Sequence, residues 1–146
     1  MQRIITSTAL VFAGALLLSG CATSAGTESS ASADSCETVR VAVRDVSNGA
    51  QNAILTASDP AELQAYLDEL SERVDALDEQ AADDSALADA LDALDEKIDA
   101  ASDWAETLPT EADVEAGAEI DAEAQAAQTE GIQAAAVTVT EVCTAE

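Results

Sequence analysis

Apolar residues recur three and four positions apart along most of this chain, a spacing that places them on one face of an α-helix. The first such stripe is Cys36, Val39, Val43, Val46, Ala50, Ala53 and Ala57. Asp34, with Glu37 three residues later, predicts a capped start for this helix at about Ser35. The second stripe is Leu63, Leu67, Leu70, Val74 and Leu77, and Asp59-Pro60-Ala61-Glu62 stands before it. That run reads as a helix start: Asp59 is the N-cap, Pro60 occupies a position that needs no donor, and Glu62 is the acidic third residue. The third stripe is Leu87, Leu91, Leu94, Ile98 and Ala101.

Asp83-Asp84-Ser85 offers an N-cap between the second and third stripes, yet no Gly or Pro separates them. Two helices or one long one both satisfy the pattern. Leu108-Pro109-Thr110 ends the third helix, and Thr110 with Asp113 starts a fourth segment. Its stripe passes from Ile120, Ala124 and Ala127 to Ile132, Ala136, Val139 and Cys143, and Gly117 and Gly131 predict a kink or break. The fold class expected is all-α, a small up-down bundle of three to four helices. Seams of a coiled coil between chains are the alternative use of such stripes.

Composition narrows the core. Only three aromatic residues occur, Phe12, Tyr66 and Trp104, and much of the 48% hydrophobic content is alanine. Alanine gains little from burial but lets helices approach closely, and β-branched or aromatic runs that would favour a sheet are nearly absent.

The first twenty residues follow a different pattern. Arg3 precedes an uncharged, mostly apolar stretch from Ile4 to Leu18, too short for the ~20 residues that span a bilayer. Leu18-Ser19-Gly20-Cys21 follows. This segment resembles the lipobox signal peptide of bacterial lipoproteins, with Leu at the third position before the cysteine and small residues between. The resemblance covers residues 1–21. It implies removal of residues 1–20, lipid on Cys21 (a palmitate-type acyl anchor of at least two chains), and a cell-membrane location facing outside the cytoplasm. Residues 21–34, rich in Ser, Ala, Thr and Gly, then read as a flexible tether, and residues 35–146 as an acidic helical bundle.

With Cys21 assigned to lipid, Cys36 and Cys143 remain as an even pair in a compartment that permits disulfides. They stand at the start of the first helix and the end of the last, which meet at one end of a four-helix up-down bundle. A bridge is expected there, worth about 4–5 kcal/mol through the roughly hundred-residue loop it closes.

Charge excludes some partners. The chain has 30 acids, 5 bases and a net charge of −25. Removing residues 1–20 takes Arg3 and no acid, leaving 30 acids against 4 bases and a net −26. No nucleic-acid partner is expected, because phosphate binding needs Lys and Arg.

Chemistry is sparse. The absence of histidine removes His-based nucleophile systems and zinc sites, and no phosphate-cradling glycine motif occurs. Paired carboxylates are too many to single out a catalytic pair, so no catalytic residue, no enzyme activity and no cofactor is expected. Asp75, Asp78, Glu79, Asp83 and Asp84 around the second helix junction are the candidates for a divalent cation. Arg40 and Arg44, one turn apart, either receive an acidic ligand or pair with acids of neighbouring helices. Tyr66 and Trp104 read as core or half-buried packing, with an exposed binding anchor as the alternative. The function expected is a non-catalytic interaction, scaffolding or accessory role in the cell envelope, with the membrane and an envelope protein as the expected partners. A cation-binding or cation-stabilised surface protein is the alternative, and a small-molecule binder between helices a third.

Overall fold

A computed structural model describes residues 29–81 and 83–145, with side chains from Cys36 onward. The expected signal peptide, Cys21 and the first part of the tether lie outside these residues. Five helices follow in order: α1 (Ser29–Thr56), α2 (Pro60–Ala81), α3 (Ser85–Ala105), α4 (Glu111–Glu115) and α5 (Ala122–Val142). The four long helices form an antiparallel ring in which α1 packs on α2 and α5, and α3 packs on α2 and α5. The one-turn α4 has no buried residue. Leucine, isoleucine and valine from all four long helices fill one core, so the stripes are the seams of an intramolecular bundle.

The second and third stripes fold as their spacing predicts. Leu63, Leu67, Leu70, Val74 and Leu77 are buried along α2, and Leu87, Leu91, Leu94, Ile98 and Ala101 along α3. Asp59 Oδ1 accepts from the backbone N–H of Ala61 (2.8 Å) and Glu62 (3.1 Å), which fixes the start of α2. Asp84 caps α3 likewise, accepting from Ala86 and Leu87 at 3.1 and 3.2 Å. These caps make α2 and α3 two helices.

Three expectations are corrected. α1 begins at Ser29, so Asp34 lies inside it and residues 29–34 of the expected tether are helical. Nothing between Ser29 and Asp34 breaks a helix, and Ala31 and Ala33 favour one. Glu37 pairs with Arg40 of the same helix at 3.3 Å instead of closing a capping box. At the other end of α1 the core residue is Ile54, fully buried, whereas Ala53 and Ala57 are only partly so. The larger side chain takes the inward position where the helix has drifted out of a strict heptad.

The fourth segment is broken rather than kinked. Thr110 and Asp113 do form the expected capping box. Four residues after Asp113 the chain turns away at Gly117, whose φ of 98° is the left-handed conformation that glycine adopts without strain. The Gly117 N–H donates to the Val114 carbonyl and the Ala118 N–H to that of Asp113, both at 2.9 Å, a Schellman termination. Asp121 then caps α5 afresh, accepting from Glu123 and Ala124. Along α5, Ile132, Ala136 and Val139 are buried as expected, but Ala127 is exposed. Gly131 lies inside α5 with room for a methyl group, the nearest atom being Lys97 Cδ at 3.7 Å.

Candidate functional site

The two ends of the bundle are built differently. At one end the start of α1 meets the end of α5, and Cys36 is bridged to Cys143 with Cα atoms 5.4 Å apart. The α2–α3 junction lies at this same end, because α2 runs antiparallel to α1. Ser29, where the described chain begins, stands at this end. None of the described helices is long and apolar enough to cross a membrane.

The opposite end is made by the α1–α2 turn and the α3–α4–α5 connection. Gln125 of α5 reaches across and donates from Nε2 to the Ile54 carbonyl at 2.8 Å, satisfying a group that the last turn of α1 leaves open. Beside it lies a half-enclosed cavity of about 250 Å³. Ala57, Pro60, Leu108, Pro109, Val114 and Ile120 line it with apolar surface, and Ser58 and Glu111 stand among them. Leu108 is its buried floor, and Val114, 51% exposed, its outer wall. A second hollow of about 330 Å³ shares Ala57 and Ser58 with the first. Asp59, Glu62 and Tyr66 line it, so its character is anionic and aromatic. Neither segment that builds this end, residues 52–66 and 101–130, contains a Lys or Arg.

Sequence reasoning did not find these hollows. Leu108 and Val114 stand between helical stripes, where periodicity assigns no partner, and Ile120, read as the head of the last stripe, lies before α5 in the connection. The available signal was Pro109 and Gly117 bracketing a short acidic segment with Val114 at its centre.

The expected site residues disperse. Asp75, Glu79 and Asp83 are exposed, Asp84 is occupied as the α3 cap, and Asp78 is half-buried. Among the described residues, no three His, Cys, Asp or Glu side chains converge as a metal ion would require. One carboxylate oxygen of Asp78 is buried without a hydrogen-bond partner. Arg40 pairs with Glu37, and Arg44 with Asp45 at 3.1 Å. Both ion pairs lie within α1, so neither arginine is bound to a neighbouring helix as one reading expected. Trp104 is half-buried against the core, and Tyr66 is 38% exposed over α1, where its Oη would lie 2.7 Å from a Cβ at Gly49.

Acids along the α2–α3 seam find hydroxyl and amide donors where cations are scarce. Ser71 Oγ donates to Asp95 Oδ1 at 2.6 Å, Ser102 Oγ to Asp68 at 3.0 Å, and Gln64 Nε2 to Glu106 at 3.2 Å. Partial burial pushes the Asp95 carboxyl above the usual aspartate range, the Ser71 hydrogen bond opposes this, and Asp99, Asp75 and Asp92 add to the rise. No protein-family model, curated protein or solved structure matches this chain.

Proposed function

We propose that this chain is a lipid-anchored protein of the cell envelope with a non-catalytic interaction role. The observation that carries the reading is the joining of Cys36 to Cys143 while Leu18-Ser19-Gly20-Cys21 leaves one cysteine apart. A disulfide between chain-distant helices suits an oxidising compartment outside the cytoplasm. The remaining cysteine sits where a lipobox needs it. Anchoring through Cys21 would set the disulfide end toward the membrane and direct the paired hollows away from it. An interaction role fits that geometry, because the surface turned outward combines an apolar cavity with carboxylates.

The test is metabolic labelling with an alkyne fatty acid in a bacterial host, followed by a non-reducing digest. The wild-type chain is expected to carry label on a fragment beginning at Cys21 and to yield one bridged Cys36–Cys143 peptide pair. Cys21→Ala is expected to abolish label and processing. An unlabelled, unprocessed wild-type chain would overturn the anchored reading, and free thiols at Cys36 and Cys143 in the exported product would overturn its compartment.

A further inference from the structure

We infer that the two adjoining hollows at the end opposite the disulfide dock a basic peptide segment of a partner protein, one large apolar side chain entering the first and a Lys or Arg the second. The inference deepens the interaction reading and rests on it for its biological setting.

Size selects the occupant of the first hollow. Pockets that enclose a drug-sized ligand hold roughly 300–1,000 Å³. A cavity of about 250 Å³ falls below that range and accommodates one large side chain, Leu or Phe, with its attached backbone left outside. Burial of single apolar anchors in fitted hollows is how peptide and protein interfaces concentrate their affinity. Leu108, Pro60, Val114 and Ile120 give such an anchor contacts on several sides.

Charge selects the flanks. Glu111 stands at the rim of the apolar hollow, and Asp59 and Glu62 line its neighbour. With no Lys or Arg in the surrounding segments 52–66 and 101–130, no cation at this end answers Glu62 and Glu111 from within, while Asp59 is engaged by the α2 amides. An acidic or neutral peptide gains nothing from them, and an anionic lipid headgroup is repelled. A basic side chain beside the apolar anchor meets Glu62 and the ring of Tyr66 together, an ion pair reinforced by a cation–π contact. Ala57 and Ser58 belong to both hollows, so the two anchors lie within a few residues of each other on one segment.

The experiment is selection of a random twelve-residue peptide display library on the immobilised full chain, with fluorescence anisotropy on the enriched peptides. Enriched peptides are expected to place Leu, Phe or another large apolar residue within three positions of Lys or Arg. Val114→Ser removes the outer apolar wall at a residue without buried neighbours in its helix, and is expected to weaken these peptides about tenfold. Glu62→Gln is expected to weaken them about threefold, and Glu96→Gln on α3 less than twofold, with unchanged helical circular dichroism in all three. Failure to enrich any peptide overturns the inference. So do enriched basic peptides that lack an apolar anchor or ignore Val114→Ser, because they read only the general negative surface. Repeating the measurement on Cys21→Ala separates this inference from the anchored reading: peptide affinity is expected to be unchanged there, whatever the labelling outcome.

Discussion

Asp95 shows how a chain with few cations accommodates an acid between two helices. Its carboxylate accepts a 2.6 Å hydrogen bond from Ser71, and Asp75, Asp92 and Asp99 stand around it. Burial and those neighbours raise its pKa, which means that the folded protein holds the Asp95 proton more tightly than the unfolded chain does. By linkage, the stabilising contribution of the protonated group is fully present below the ordinary value of 3.8 and is lost as pH rises through the raised value. At neutral pH the charged form is a net burden that Ser71 only offsets. Asp95→Asn keeps an acceptor for the Ser71 hydroxyl and removes the charge. The variant is expected to melt above wild type at pH 7, with the difference shrinking as pH falls through the raised Asp95 value. Thermal unfolding by circular dichroism across that range checks it, and an equal or lower melting temperature at pH 7 would contradict the account.

Among the elements, α4 differs from the other four in what holds it. Its five residues bury nothing; it depends on its own ends. Thr110 Oγ1 and N–H donate to Asp113 Oδ2 at 2.6 and 3.0 Å, and these bonds draw the Asp113 carboxyl below its ordinary value. The box is therefore present above the ordinary aspartate value of 3.8 and is lost as pH falls through the lowered one. Thr110→Ala is expected to weaken α4 by about 1 kcal/mol. Amide exchange at Asp113 to Ala118 should quicken about fivefold, the Asp113 titration should move upward, and the melting temperature should stay within about 1 °C. A drop of several degrees would mean that α4 belongs to the cooperative bundle.

The same contrast explains what the sequence discloses at this scale. In α2 and α3 every inward position is Leu, Val, Ile or Ala next to charged outward neighbours, and Asp59-Pro60 marks a boundary by its own chemistry, so both stripes are legible, while their division into two helices rests on the Asp84 cap. In α5 the residues are mostly Ala, Gln and Thr. Alanine suits either face of a helix, so only Ile132 and Val139 carry the phase, and Ala127 is misassigned. The register at the end of α1 slips for a related reason, since Ala53 and Ala57 continue the spacing from the buried Ala50 until packing selects Ile54. The paired hollows are less legible still. They arise where the α1–α2 turn and the α3–α5 connection meet, a juxtaposition set by the ring order of the helices rather than by any local repeat.

At the scale of the whole molecule, charge is segregated. α1 between Cys36 and Thr56 carries Glu37, Arg40, Arg44 and Asp45, which balance, while α2 and α3 carry carboxylates along most of their outward faces. The 21 residues of α3 extend for about 32 Å at ~1.5 Å per residue. At 0.01 M salt the Debye length is about 30 Å, so acids at opposite ends of the bundle still repel, whereas at 0.1 M it is about 10 Å and only close neighbours do. Raising ionic strength over that interval is therefore expected to raise the melting temperature with any monovalent salt, because the unfolded chain spreads the same charges apart. The disulfide limits how far they can spread, since it joins residues 107 apart in sequence. The identity of the cation separates screening from binding. A site near Asp75 to Asp84 would add a saturable term RT ln(1 + [L]/Kd) for millimolar Ca²⁺. The geometry argues against that term: Asp75, Glu79 and Asp83 point into solvent and Asp84 is engaged by the Ala86 and Leu87 amides. Na⁺ and Ca²⁺ at matched ionic strength are expected to give melting temperatures within about 2 °C of each other. Asp83→Asn with Asp84→Asn should leave that near-equality intact, since asparagine still caps α3. A saturable calcium increment abolished by the double substitution would instead place a cation site at the α2–α3 junction and make cation binding the leading function.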